Sequence, residues 1–147
     1  GTPFGHASAA RRVYECCPVA LAGVRSLCLE EHQFIRDHDV PVWFWDSESQ
    51  RSSPETILDS LSDSVYVSID LDVLDPALMS AVGTPEPGGM TWHQLVGLLG
   101  KVAESRRIVG FDVCELAPAD GPPACSYTAA KLVYKLVAYA RGRRQGR

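Results

Sequence analysis

The chain has 147 residues, 46% of them apolar, with a formal net charge of −4 and a pI near 5.5. That length is one domain, able to bury roughly 70% of the surface its unfolded chain exposes, and the acidic balance gives no basic stripe for a nucleic-acid backbone. No apolar run approaches the roughly 18 residues of a membrane span and the start has no signal-peptide pattern, so the expectation is a soluble, cytoplasmic protein that partners neither nucleic acid nor membrane.

After a loop over residues 1–8, residues 9–16 have the composition of a short helix with Arg11 and Arg12 outward. Residues 19–24 are apolar and bounded by Pro18 and Arg25, which suits a buried strand. Residues 30–38 carry charge around Phe34 and Ile35, as a solvent-facing helix does. Residues 40–45 read as a second strand; Pro41 lacks a ladder donor, so this strand starts late or lies at an edge. Ser53, Pro54 and Glu55 then open a helix, with Ser as N-cap, Pro in the first turn and an acid at the positive end of the dipole. Ile57, Leu58 and Leu61 form its inward stripe.

The β-branched and aromatic run 65–69 predicts a strand buried on both faces of a mostly parallel sheet. Asp70 and Asp72 stand where it ends. Side chains alternate along a strand, so residues two apart project from one face and reach one small volume. Carboxylates held that close raise each other's pKa unless a cation neutralises them. The pair is therefore a candidate divalent-metal site, placed where open α/β sheets hold ligands. The competing reading is that Asp-x-Asp-x-x-Asp-Pro merely stops a strand, since Asp and Asp-Pro initiate turns.

A loop rich in Gly and Pro follows, and Thr91 with Gln94 fits a capping box ahead of Leu95, Leu98, Leu99 and Val102 at helical spacing. Residues 107–113 are the last strand, which hands Glu115 to the loop at its carboxyl end. A final helix starts near Ser126, with Ala129, Leu132, Val133, Leu136, Val137 and Ala140 inward and Lys131, Lys135 and Arg141 outward. Residues 142–147 read as a frayed basic tail. Strands alternating with helices this regularly imply right-handed βαβ units on a parallel sheet. Five cysteines, two of them adjacent at Cys16 and Cys17, do not make a disulfide framework, and no CxxC pair argues for zinc. Cys28, Cys114 and Cys125 read as buried or half-buried thiols.

The stretch Ser68-Ile69-Asp70-Leu71-Asp72-Val73-Leu74-Asp75-Pro76, followed by Gly83-Thr84-Pro85, closely resembles the signature of the ureohydrolases, the family of arginase, agmatinase and formimidoylglutamase. Agreement continues through 86–92, 109–118 and 128–134, and it covers 23–26 and 8–13 after His6. The match spans nearly the whole chain but only the second half of a family member. With an opening on Gly1 and no strand or cap before it, residues 1–147 are expected to be the C-terminal part of one ureohydrolase domain. Pro85-Glu86-Pro87-Gly88-Gly89 and the last helix look more like agmatinase than arginase.

The resemblance implies a three-layer α/β/α arginase-like fold with a mostly parallel sheet, incomplete for want of its N-terminal strands. It implies hydrolysis of a small guanidino substrate, agmatine first, to urea and an amine by a hydroxide held between two Mn²⁺ ions, in a homo-oligomer, trimer or hexamer. On the motif, Asp70 would bridge both ions, Asp72 would bind one, Glu115 would pair with the substrate guanidinium, and Thr84 would help bind it. His6 falls where the family keeps a histidine that passes a proton to the leaving amine. Asp75 reads as tying the turn, Asp112 as supporting rather than ligating, and His32, His38 and His93 as surface residues; Arg25 has no role in this reading.

The departures set the limits. Gly-Gly-Asp-His and Asp-Ala-His-x-Asp segments, which give the family most of its metal ligands, do not occur in the sequence. Ser80-Ala81 also replaces a usual Pro-Gly. In the family the strand leading to the second missing segment lies between strands kept here, so the chain is expected either to expose unpaired strand edges or to re-pair them. These 147 residues alone are expected to bind metal weakly and to release little or no urea. Two other readings stay open: a catalytically dead subunit or scaffold of the same fold, and a glycosyltransferase-type Asp-x-Asp metal site, which would lack basic groups for a diphosphate.

Overall fold

A computed structural model describes residue 5 and residues 8–45 and 54–142. Its elements in chain order are α1 (Ala9–Tyr14), β1 (Leu21–Val24), α2 (Leu29–Asp37), β2 (Val42–Phe44), α3 (Glu55–Ser60), β3 (Ser64–Asp70), α4 (Trp92–Ser105), β4 (Arg107–Cys114) and α5 (Pro123–Gly142). Two 3₁₀ turns, Leu71–Val73 and Pro118–Asp120, follow β3 and β4. Helices and strands alternate as the sequence pattern predicts, and β2 does start late, one residue past Pro41. Ser53, expected to cap α3, lies outside the described residues; Pro54 holds the N-cap position.

The strands pair in parallel. β1 runs beside β2 with Leu21 opposite Val42, and β3 runs beside β4 from Ser64 opposite Arg107 to Asp70 opposite Cys114. Among the described residues these are two separate two-stranded ladders, not one sheet, and each leaves strand edges unpaired, the first of the two expected outcomes.

The core explains which faces are dry. Leu71, Met79, Leu132 and Leu136 are wholly buried, together with Leu74, Met90, Leu95, Leu99 and Ala129. It fills the space between α4, α5 and one face of the β3–β4 ladder. That arrangement corrects the reading of β3 as buried on both faces. Val65 and Ile69 point inward, but Ser64, Tyr66 and Ser68 alternate with them onto an open face, and Tyr66 is 62% exposed. Helices that cover one side of a ladder dry only every second residue.

Local chemistry sets the helix ends. The Gln94 N–H donates to Thr91 Oγ1 at 3.3 Å and the Thr91 N–H donates to Gln94 Oε1 at 2.8 Å, the expected capping box. The Arg106 guanidinium donates to the Leu61 and Leu58 carbonyls at 3.0 and 2.6 Å, closing the carboxyl end of α3. α5 begins at Pro123, three residues ahead of the expected Ser126, because a proline in the first turn gives up an N–H that has no helical partner there. Its inward stripe is Cys125, Ala129, Leu132 and Leu136. Val133 and Val137, expected inward, are more than a third exposed, since α5 packs on one side only.

All five cysteines are free. Cys125 is buried, but Cys28 and Cys114 are exposed rather than buried: Cys28 precedes α2, which buries none of its residues, and Cys114 ends β4 on the open side. No described helix is long and apolar enough to cross a membrane.

Candidate functional site

The site is built where β3 stops. The Asp70 carboxylate turns back and accepts the Asp72 N–H at 3.1 Å, so the strand gives way to a 3₁₀ turn over Leu71–Val73. Strand alternation therefore does not relate the two acids, as the sequence argument supposed; a side-chain-capped turn does, and it brings them together all the same. Leu71 and Leu74, 0% and 1% exposed, pin the turn into the core from inside.

A second layer of bonds holds the loop across from this turn. Thr84 Oγ1 donates to Asp72 Oδ2 at 3.2 Å. Asp75 is the tie that it was expected to be: its carboxylate accepts the Ala77 N–H at 2.9 Å and, from across the loop, the Gly88 N–H at 3.0 Å. The chain then pairs with itself, Asp75 N to Met90 O at 3.0 Å and Met90 N to Val73 O at 2.8 Å. Arg25, given no role by the sequence, reaches in from the end of β1 and donates to the Asp72 carbonyl at 2.5 Å and the Glu86 carbonyl at 2.7 Å. No local sequence signal marks it, because both acceptors are backbone carbonyls far along the chain.

Glu115 follows β4, next to the register pair Asp70 and Cys114. Its backbone is left-handed, φ 65°, a strained state for a side chain of that size. A Cβ on Gly83 would lie 3.9 Å from Glu115 Oε2, in ordinary contact, which places this carboxylate beside the start of the loop. Partial burial, opposed by the Asp72 N–H and reinforced by the negative charges of Asp72 and Glu115, pushes Asp70 from 3.8 up to about 6. Desolvation first, then the same carboxylates and Asp112, raise the Cys114 thiol.

Of the expected site residues, the structure thus groups Asp70, Asp72, Thr84 and Glu115. His6 lies outside the described residues. His32, His38 and His93 are exposed on α2, just past it and on α4, as surface residues. Asp112 accepts from Ser68 Oγ at 2.8 Å on the open sheet face and is a strand-to-strand tie. Among the described residues no group of three His, Cys, Asp or Glu side chains is placed to hold a metal ion. The paired carboxylates suit a hard, oxygen-seeking divalent cation and make part of a donor set.

A model of the arginase family matches residues 1–138. The chain belongs to the arginase family. It is 36% identical to the N(1)-aminopropylagmatine ureohydrolase of Synechocystis sp. over 95% of its own length and 46% of that protein's. It is 35% identical to the agmatinase of Pyrococcus horikoshii over 93% of its length and 48% of that enzyme's. Among solved structures, arginase from Medicago truncatula superposes with a TM-score of 0.76 at 28% identity, covering 96% of this chain and 46% of that one. This arginase-family chain therefore has the incomplete, arginase-like α/β fold expected of it, and it spans about half the length of the curated relatives it matches.

Proposed function

We propose that this arginase-family chain carries part of the active site of a manganese-dependent ureohydrolase that splits a guanidino compound of the agmatine class into urea and an amine. One observation carries the reading: Asp70 and Asp72 at the end of β3 stand close enough to each other and to Glu115 at the end of β4 that their charges add to the partial burial that raises Asp70 to about 6. The names of the relatives, which act on agmatine and aminopropylagmatine, support the substrate class.

In this reading Asp70 and Asp72 hold Mn²⁺, and the cation, when bound, neutralises the pair and acidifies water for attack on the guanidinium carbon. Thr84 orients the Asp72 carboxylate through one of its oxygens. Glu115 takes the substrate guanidinium through charge-assisted, forked hydrogen bonds. His6 passes the proton that the departing amine needs, a role suited to an imidazole. The residues present fit a cation only in part, so the chain alone is expected to bind it weakly.

The test is Mn²⁺ binding, followed by the spin resonance of free ion, and urea release from agmatine, aminopropylagmatine, arginine and guanidinobutyrate. It is run on this chain and on the complete product of its gene. Urea from one of the four, lost in Glu115→Gln while Mn²⁺ still binds, supports the reading. Mn²⁺ binding without urea from any of them refutes the substrate class. A second reading, a non-catalytic subunit of this fold, is favoured by the lack of a third metal donor among the described residues; it predicts that the complete product binds no Mn²⁺.

A further inference from the structure

The metal turn and the substrate loop are joined by more than their own contacts. Gly23, at φ 91°, lets β1 come against the 3₁₀ turn, because a Cβ there would collide with Val73 Cγ2. Two residues on, Arg25 donates from one guanidinium nitrogen to the Asp72 carbonyl and the Glu86 carbonyl. Those carbonyls lie on different segments, the metal turn and the loop that carries Thr84. Arg25 Nε, meanwhile, is buried with no hydrogen-bond partner among the described residues. Burying a guanidinium with an unpaired N–H costs free energy, so a side chain kept only to fill this space would be apolar.

We propose that Arg25 is a positioning residue: it clamps the Asp72 turn to the 83–88 loop, so that the metal ligands and the substrate loop keep one spacing before either ligand arrives. The inference rests on the ureohydrolase reading for its purpose, but the clamp itself does not need the metal. The planar guanidinium fixes the directions of that nitrogen's two N–H groups toward the two carbonyls, whereas an ammonium on a flexible, shorter stem turns its donors freely and holds neither direction. Through the clamp, β1 and its ladder are coupled to the turn that ends β3, and two otherwise separate ladders share one site.

The experiment uses the complete gene product with Arg25→Lys and Arg25→Ala, and with Asp70→Asn as the metal control. Amide hydrogen exchange without metal is read at residues 72–74 and 83–90, and Mn²⁺ affinity is read separately. Loss of charged hydrogen bonds predicts exchange about 10-fold faster in both segments and Mn²⁺ binding about 10-fold weaker in Arg25→Ala, with amides of α4 and α5 unchanged. Arg25→Lys, which keeps the charge and most of the packing, is expected to protect one segment but not both. Exchange within about twofold of the parent in both segments, for either variant that folds, overturns the clamp. If Asp70→Asn leaves Mn²⁺ affinity unchanged, the metal reading fails instead, and the exchange result still decides the role of Arg25.

Discussion

Gly89→Ala strikes the point where the loop after Gly83 is stitched to the turn that ends β3. A Cβ at Gly89 would lie 2.5 Å from the Asp75 nitrogen and the Leu74 carbonyl carbon and 2.6 Å from the Leu74 oxygen. All are backbone atoms, which cannot swing aside as a side-chain tip can. The chain has to part there, and the bonds at risk are Asp75 N to Met90 O and Met90 N to Val73 O. Each contributes about 1 kcal/mol net. Met90 and Leu74, both 1% exposed, are then pulled from the core, which brings the expected loss to about 3 kcal/mol, or about 10 °C in Tm for a domain of this size. Gly97→Ala is the control, because nothing lies within 4 Å of a Cβ there and the residue sits inside α4; it should gain about 0.5–1 kcal/mol. Urea titrations followed by circular dichroism measure both. A Gly89→Ala variant within about 0.5 kcal/mol of the parent, with Gly97→Ala behaving as stated, would refute the stitch.

Asp70→Asn tests the electrostatics. A folded-state pKa raised from 3.8 to about 6 means that the folded chain holds this proton more tightly than the unfolded one, so the stability it contributes is full below about 3.8 and lost as pH rises through about 6. The full gap corresponds to about 3 kcal/mol, but Asp70 is solvent-exposed and water screens it, so about 1 kcal/mol is expected. Unfolding in EDTA should show the Asn variant gaining that much on the parent between pH 4.5 and 7.5, with saturating Mn²⁺ reversing the order; a pH-independent difference sinks the argument. Thr91→Ala removes the N-cap of α4 and should cost about 1 kcal/mol in the same titration. Leu132→Ala opens space at a fully buried position and should cost about 3 kcal/mol without altering the Mn²⁺ affinity of the molecules that remain folded.

Much of this was legible because the signals were local. The capping box of α4, the tie made by Asp75 and the late start of β2 each depend on residues a few positions apart, and each came out as read. Periodicity failed where it had to assume a neighbour. The run 65–69 is apolar enough for a strand covered on both sides, yet whether a second layer exists is a property of what packs there, and Tyr66 stands open. Val133 and Val137 were read inward for the same reason. Arg25 was illegible because its partners are 47 and 61 residues away and are backbone carbonyls, which any residue type would supply equally well. Even the correct pairing of Asp70 with Asp72 was reached through strand geometry, where the molecule uses a turn capped by Asp70 itself.

That turn explains how one short motif can set both the fold and the chemistry without trading one for the other. Its apolar members, Leu71 and Leu74, face the core at 0% and 1% exposure, while Asp70 lies exposed and Asp72 is half-buried. The leucines hold the turn through burial worth roughly 2 kcal/mol each, far more than the Asp70 to Asp72 backbone bond of about 1 kcal/mol. The carboxylates are thus held close by forces other than their own interaction, against a repulsion and desolvation that Asp70 registers in its raised pKa. A site held this way is poised for a cation, because the cost of bringing like charges together is met during folding and recovered when the ion binds. Its variants should separate cleanly: changes at Leu71 or Leu74 lower stability and metal affinity together, and Asp70→Asn lowers metal affinity while leaving the metal-free fold as stable as before or more so.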